Sequence, residues 1–215
     1  MTSSAGSGLR LTSRRRTSRK TSKQPEPRKL RRDLAHNEGY KLQKPLVIDA
    51  TPIIYLCKIG LSRIFEDLPE EKYTTPKVVE EVIDKGKILG APDALIAEEL
   101  IQRAIIRVRE PARAGFLVLL STLPHLHEAE AQVLALAKEL EGIVIVDESL
   151  AREVSRLYNI EAHGTAYLLL RLMYRGRLST NQVRDAIDGM ISAGWRLTAE
   201  EYSKLARELE AFQGE

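Results

Sequence analysis

Apolar residues are distributed along this chain in two rhythms. Two short unbroken runs, Leu46–Ile48 and residues 143–146, have the pattern of strands buried on both faces. Elsewhere apolar positions recur at three and four: Val78, Val79, Val82 and Ile83 after Pro76, and Val133, Leu134, Leu136, Ala137 and Leu140 after His127. That spacing predicts amphipathic helices. Weaker strands are predicted at Lys72–Thr74, at 104–108 and at the short EAHG stretch 161–164. Further helices are predicted over 53–59, 61–65, 93–102, 148–158, 164–175 and 179–192, and Thr198 with Glu201 makes a capping box for a terminal helix reaching Phe212. Residues 109–126 fit helix and strand equally well and are left unassigned. Strands alternating with helices imply an α/β domain whose parallel sheet is joined by crossovers.

Both buried runs end in an acid, and this repetition turns a fold pattern into a chemical one. Asp49 follows the first run, with Thr51 and Pro52 behind it as cap and first residue of a helix. In open α/β sheets ligands bind beyond the carboxyl ends of the strands, so Asp49 and Asp147 are site candidates; the plainer alternative for Asp49 is solvation of a turn. Glu130 sits at the margin of the apolar face of its helix, whereas Glu128 points toward solvent. A favourable place on the helix dipole is the alternative for Glu130. Glu80 and Glu81 flank their apolar face about equally, and spacing does not choose between them. Carboxylates gathered in one cleft repel each other unless some are protonated or a cation neutralises them. The donors are all oxygen, which suits Mg²⁺ or Mn²⁺ rather than zinc, and such a site supports hydrolysis of a phosphodiester.

Composition narrows the setting. A chain of 215 residues accommodates one ordinary domain, and the single Cys57 excludes an internal disulfide framework. No apolar run has the length of a membrane span, so a soluble protein of the reducing cytoplasm is expected. Charge is strongly polarised: residues 1–44 hold thirteen Lys/Arg against three Asp/Glu, a net +10, and residues 45–215 hold twenty against twenty-seven, a net −7. The first 44 residues, rich in Ser, Thr, Arg and Lys, read as a disordered basic tail. A solvated extension, an arm with affinity for phosphates, or a targeting peptide would each have this composition. Residues 45–215 form the expected single domain. His125 and His127 are read as surface residues, and Trp195 with Leu197 as packing for the terminal helix in preference to a base-stacking role.

Asp49 with Thr51 two residues on, the Pro-opened helix with Glu80-Glu81-Val82, the Glu130-Ala131 pair and the strand ending in Asp147-Glu148 together resemble the PIN domain of metal-dependent ribonucleases, most closely its VapC-related toxin branch. The likeness covers residues 46 to about 195. It implies a three-layer α/β/α fold around a central parallel sheet, here with extra C-terminal helices. In the site it implies Asp49, Glu81, Glu130 and Asp147 as catalytic acids, with Glu148 as a substitute for Asp147. Asp49, Glu130 and Asp147 would hold Mg²⁺ or Mn²⁺, with Thr51 in support. It implies cleavage of RNA, a homodimer and a small antitoxin partner. The chain departs from the family pattern at Ala50, where Ser or Thr is frequent, and at Glu130, one methylene longer than Asp. A catalytically silent PIN-like module binding RNA or protein is the alternative; a haloacid dehalogenase type phosphatase is disfavoured by Thr51, where that chemistry needs a second Asp.

Overall fold

The computed structural model describes residues 43–112 and 114–213, so the basic tail expected over 1–44 lies almost wholly outside the described residues. Leu46, Val47 and Ile48 are completely buried and form β1 (Leu46–Ile48). A strand with no polar face needs cover on both sides, and β1 accordingly sits at the middle of a five-stranded sheet. On one side lie β2 (Lys72–Thr74) and then β3 (Arg107–Val108); on the other lie β4 (Ile143–Ile145) and then β5 (Glu161–His163). The order is β3-β2-β1-β4-β5, with every pair parallel and Val47 in register with Tyr73 and Val144. β4 is as buried as β1, whereas edge strand β3 is exposed.

Helices cover both faces of this sheet, giving the three layers expected. α1 (Ala50–Lys58) leaves β1 directly and is followed by the short α2 (Ile64–Asp67). α3 (Pro76–Val79) runs through a π-helical turn at Glu80–Asp84 into α4 (Lys85–Ile88), and α5 (Pro92–Gln102) packs on α1. α6 (Ala114–Ser121) rests on α7 (Glu128–Leu140), which lies against β1 and β4. α8 (Ser149–Leu157), α9 (Ala166–Tyr174), α10 (Thr180–Ser192) and α11 (Ala199–Gln213) complete the described chain. Among the described residues no helix is long and apolar enough to cross a membrane.

Three local predictions shift. α1 starts at Ala50 rather than after Thr51, because Asp49 itself takes the extended N-cap conformation. The unassigned stretch 109–126 contains α6, whose Leu120 is fully buried while Val118 and Leu119 stay exposed. The strand predicted over 104–108 is confined to Arg107–Val108, since Ala104 turns the chain with a φ of 55°. The Thr198–Glu201 capping box is present, with Glu201 N–H donating to Thr198 Oγ1 at 3.2 Å and Thr198 N–H to Glu201 Oε2 at 3.0 Å.

Away from the carboxyl edge of the sheet, one buried ionic cluster ties α9 to the loop before β2. The Glu70 carboxylate has no exposed side-chain surface and accepts from Arg171 Nε at 2.7 Å, from Arg171 Nη2, and from Arg175 Nη2 at 3.1 Å. Arg171 Nη1 also donates to the Tyr167 hydroxyl at 2.9 Å. Stranding one charge of a buried pair costs about 3–5 kcal/mol, and losing Arg171 would approach the lower end of that range because Glu70 keeps Arg175. Arg171→Met is therefore expected to lower the urea midpoint strongly, and adding Glu70→Leu to it should recover much of the loss; equal midpoints for wild type and Arg171→Met would count against the cluster.

Candidate active site

β1 and β4 are neighbours, yet the chain leaves β1 toward β2 on one side and leaves β4 toward β5 on the other. This reversal opens a crevice beyond the carboxyl ends of the two central strands. Asp49 stands at that point, its N–H donating to Ile145 O at 3.1 Å and its backbone capping α1. The side chain is 4% exposed, and Oδ1 is buried with no hydrogen-bond partner. This carboxyl is pushed up to about 7, chiefly by burial, with the Ala50 N–H opposing the shift and the charges of Glu130, Glu81 and Asp147 adding to it. A lone carboxylate oxygen in such a place is costly unless protonated or matched by a cation.

Asp49 lines a cleft of about 480 Å³ together with Thr51, Lys77, Glu81, Lys85, His127, Glu128, Ala129, Glu130 and Glu148. Glu130, on the first turn of α7, is 5% exposed and accepts from the His127 N–H at 2.8 Å. Burial raises its pKa; the His127 N–H opposes the shift, and Glu148 and Glu81 add to it. Glu81, Glu130 and Asp147 act on Asp49, and Glu148 and Glu81 act on Glu130, which joins the end of β1, the π turn, α7 and the residues after β4 in one electrostatic cluster. The choice that periodicity left open is made by the π turn. Glu81 faces the cleft, and Glu80 pairs with Lys77 at 2.8 Å.

Asp147 and Glu148 part company. Asp147 Oδ1 accepts from Thr165 N–H at 2.8 Å, and Oδ2 from Thr165 Oγ1 at 2.6 Å and Trp195 Nε1 at 2.8 Å. A Cβ at residue 164 would lie 2.7 Å from Asp147 Oδ1, so Gly164 makes room for this clasp. Asp147 is near enough to act on the charge of Asp49, but it lines a separate cavity of about 230 Å³ with Gly164, Tyr167 and Trp195. Glu148, one residue on, is the acid after β4 that lines the cleft with Asp49.

Sequence reasoning missed Lys77, Lys85 and the cleft-facing His127. Helical spacing from Glu81 would have found both lysines, at i−4 and i+4. Glu128, expected to face solvent, is largely exposed but reaches Lys77 at 3.1 Å on the rim of the cleft. Trp195 is 4% exposed and spends its N–H on Asp147, in keeping with a packing role. In the conformations present, no three His, Cys, Asp or Glu side chains among the described residues stand close enough to share one ion. The donors nevertheless fit a hard cation in kind, being all oxygen around one unpartnered buried atom.

The PIN domain family profile matches residues 45–211, which includes the whole sheet and all the cleft-lining residues. The chain belongs to the PIN domain family. Two endoribonucleases named Nob1 are similar to it. One, from Pyrococcus abyssi, is 31% identical over 106 residues, covering 46% of this chain and 62% of the relative. The other, from Methanocaldococcus jannaschii, is 30% identical over 130 residues, covering 59% of each. This PIN domain chain thus spans about three-fifths of the length of the curated relatives it matches.

The raised pKa of Asp49 sets the sign of a pH effect. In the unfolded chain the group ionises near 4, so between about 4 and 7 the folded protein holds a proton that the unfolded one has released. This contribution is present in full below pH 4 and is lost as the pH rises through 7. In chelator, Asp49→Asn should be more stable than wild type at pH 8, by on the order of 4 kcal/mol, with the difference vanishing near pH 4. Urea unfolding at both pH values checks this, and parallel pH profiles would contradict it.

Proposed function

We propose that this PIN domain is an endoribonuclease dependent on Mg²⁺ or Mn²⁺, hydrolysing RNA phosphodiester bonds in the Asp49 cleft. The observation that carries the reading is the buried, unpartnered Asp49 oxygen at the sheet's switch point, surrounded by further acids. The similarity to endoribonucleases points the same way, although those relatives are longer than the matched region. A bound divalent ion would supply charge neutralisation and Lewis acidity toward the phosphodiester.

The chain's own residues divide the remaining work. Asp49 and Glu130 are the buried carboxylates that would hold the ion. Because Mg²⁺ keeps several waters and often takes only one or two carboxylates, a complete protein cage is not required. Glu130 is already oriented by the His127 N–H. Glu81, an exposed residue of the cleft lining, would accept a proton from a water attacking phosphorus, and Thr51, in the same lining, would orient that water. For the acid after β4 we assign the cleft position to Glu148, while Asp147 holds the Trp195 segment through its hydrogen bonds to Thr165 and Trp195.

The finer version of this function is the toxin of a VapBC-like pair, acting as a homodimer restrained by a small antitoxin. It is supported by the resemblance of motifs alone. Growth arrest on expression of wild type, absent for Asp49→Asn, would favour it.

Purified protein with Mn²⁺ is expected to cleave a fluorescent single-stranded RNA. Losing a residue that only supports a metal ligand costs about 10–100-fold, so Asp49→Asn should cost at least about 100-fold. Undiminished cleavage by that variant would refute the assignment. Mn²⁺ should also raise the melting temperature of wild type but not of Asp49→Asn. In the same titration Glu148→Gln should shrink the Mn²⁺ shift. Asp147→Asn should lower the metal-free melting temperature and leave the shift in place; the reverse pattern would return the ligand role to Asp147.

A further inference from the structure

An acidic cleft that receives a polyanion needs positive charge of its own, and two lysines line this one. Lys77 is engaged, bridging Glu80 at 2.8 Å and Glu128 at 3.1 Å. Lys85 makes no salt bridge among the described residues, and its charge acts on that of Glu80. Two features of the backbone fix its place. Lys77, Glu81 and Lys85 are spaced four apart, a little more than one α-turn and less than one π-turn; the π-helical stretch Glu80–Asp84 between them offsets the angular drift that a plain α-helix would accumulate. Next to it, Gly86 lets α4 approach α5 so closely that an added Cβ would stand 2.7 Å from the Ala94 Cβ. The result is a row along the rim in which the exposed Glu81 carboxylate is flanked by one neutralised and one unneutralised lysine.

We propose that Lys85 is a substrate-binding residue that contacts a phosphate of the RNA strand next to the one being cleaved, setting the strand's path past Glu81. The proposal rests on the ribonuclease reading and adds to it a specific phosphate contact. An ammonium on a flexible stem contacts phosphate as a point charge, so the contact carries no base preference. Each phosphate contact to a single strand contributes about 0.7 to the slope of log affinity against log salt.

The test uses the full chain and a fluorescein-labelled 12-nucleotide oligouridylate, with KCl varied at fixed Mn²⁺. Lys85→Gln should raise KM several-fold at low salt, leave kcat unchanged, and flatten the salt slope of kcat/KM by about 0.7. Lys85→Arg should restore both. Lys58→Gln, at the far end of α1, should change neither. The basic tail contributes equally to every variant and drops out of the comparison. An unchanged slope for Lys85→Gln, or a fall in kcat at constant KM, overturns the proposal while leaving the ribonuclease intact. If wild type cleaves nothing, the ribonuclease reading fails. Fluorescence polarisation of the same oligonucleotide then decides the contact: a slope difference of about 0.7 supports Lys85, and equal slopes overturn it.

Discussion

A carboxylate taken out of water at the end of the most buried strand is the constraint on which this molecule turns. β1 has no face to offer solvent, so it must lie at the centre of the sheet, and the residue that follows it emerges where the chain's direction of winding reverses. Asp49 is that residue. Its oxygen has lost hydration without gaining a donor, and the neighbouring acids raise the cost further. The fold thus maintains a cluster of negative charge that stability alone would not favour. Such local expense, surrounded by a well-packed core, is the pattern expected of a functional site.

The surrounding elements differ in how they bring their acids to this point. Glu130 is delivered by the first turn of α7, where its tie to the His127 N–H fixes one oxygen. Glu81 is delivered by a π turn, and such single-turn widenings within helices are frequent at functional sites. After β4 the chain supplies two acids in succession, and they line different cavities. Asp147 is bound by three donors from Thr165 and Trp195, which joins the start of α9 and the approach to α11 to the central strand. Glu148 lines the cleft with Asp49. One carboxylate is held rigid by donors, and its neighbour lines the cleft from a solvent-exposed position.

Several features were legible in the residues themselves. Unbroken apolar runs named the two central strands, their terminal acids named one edge of the sheet, and the apolar stripe of α7 put Glu130 at a margin. The Glu80–Glu81 choice was not legible from spacing, because an α-helical period assumes a turn width that the π stretch does not have. Residues 109–126 were opaque for another reason: α6 is apolar nearly all round, so no face stands out until Leu120 is seen packed inward.

What the sequence by itself determined is the pair of central strands and the sheet edge that carries their acids, because burial on both faces leaves a mark on consecutive residues. What only the tertiary structure decided is which way each polar side chain points: Asp147 toward Thr165 and Trp195, Glu148 and Lys85 toward the cleft, Glu80 toward Lys77. Those directions depend on partners that are distant in the chain, such as Trp195, 48 positions beyond Asp147, and on a helical widening that local periodicity does not encode.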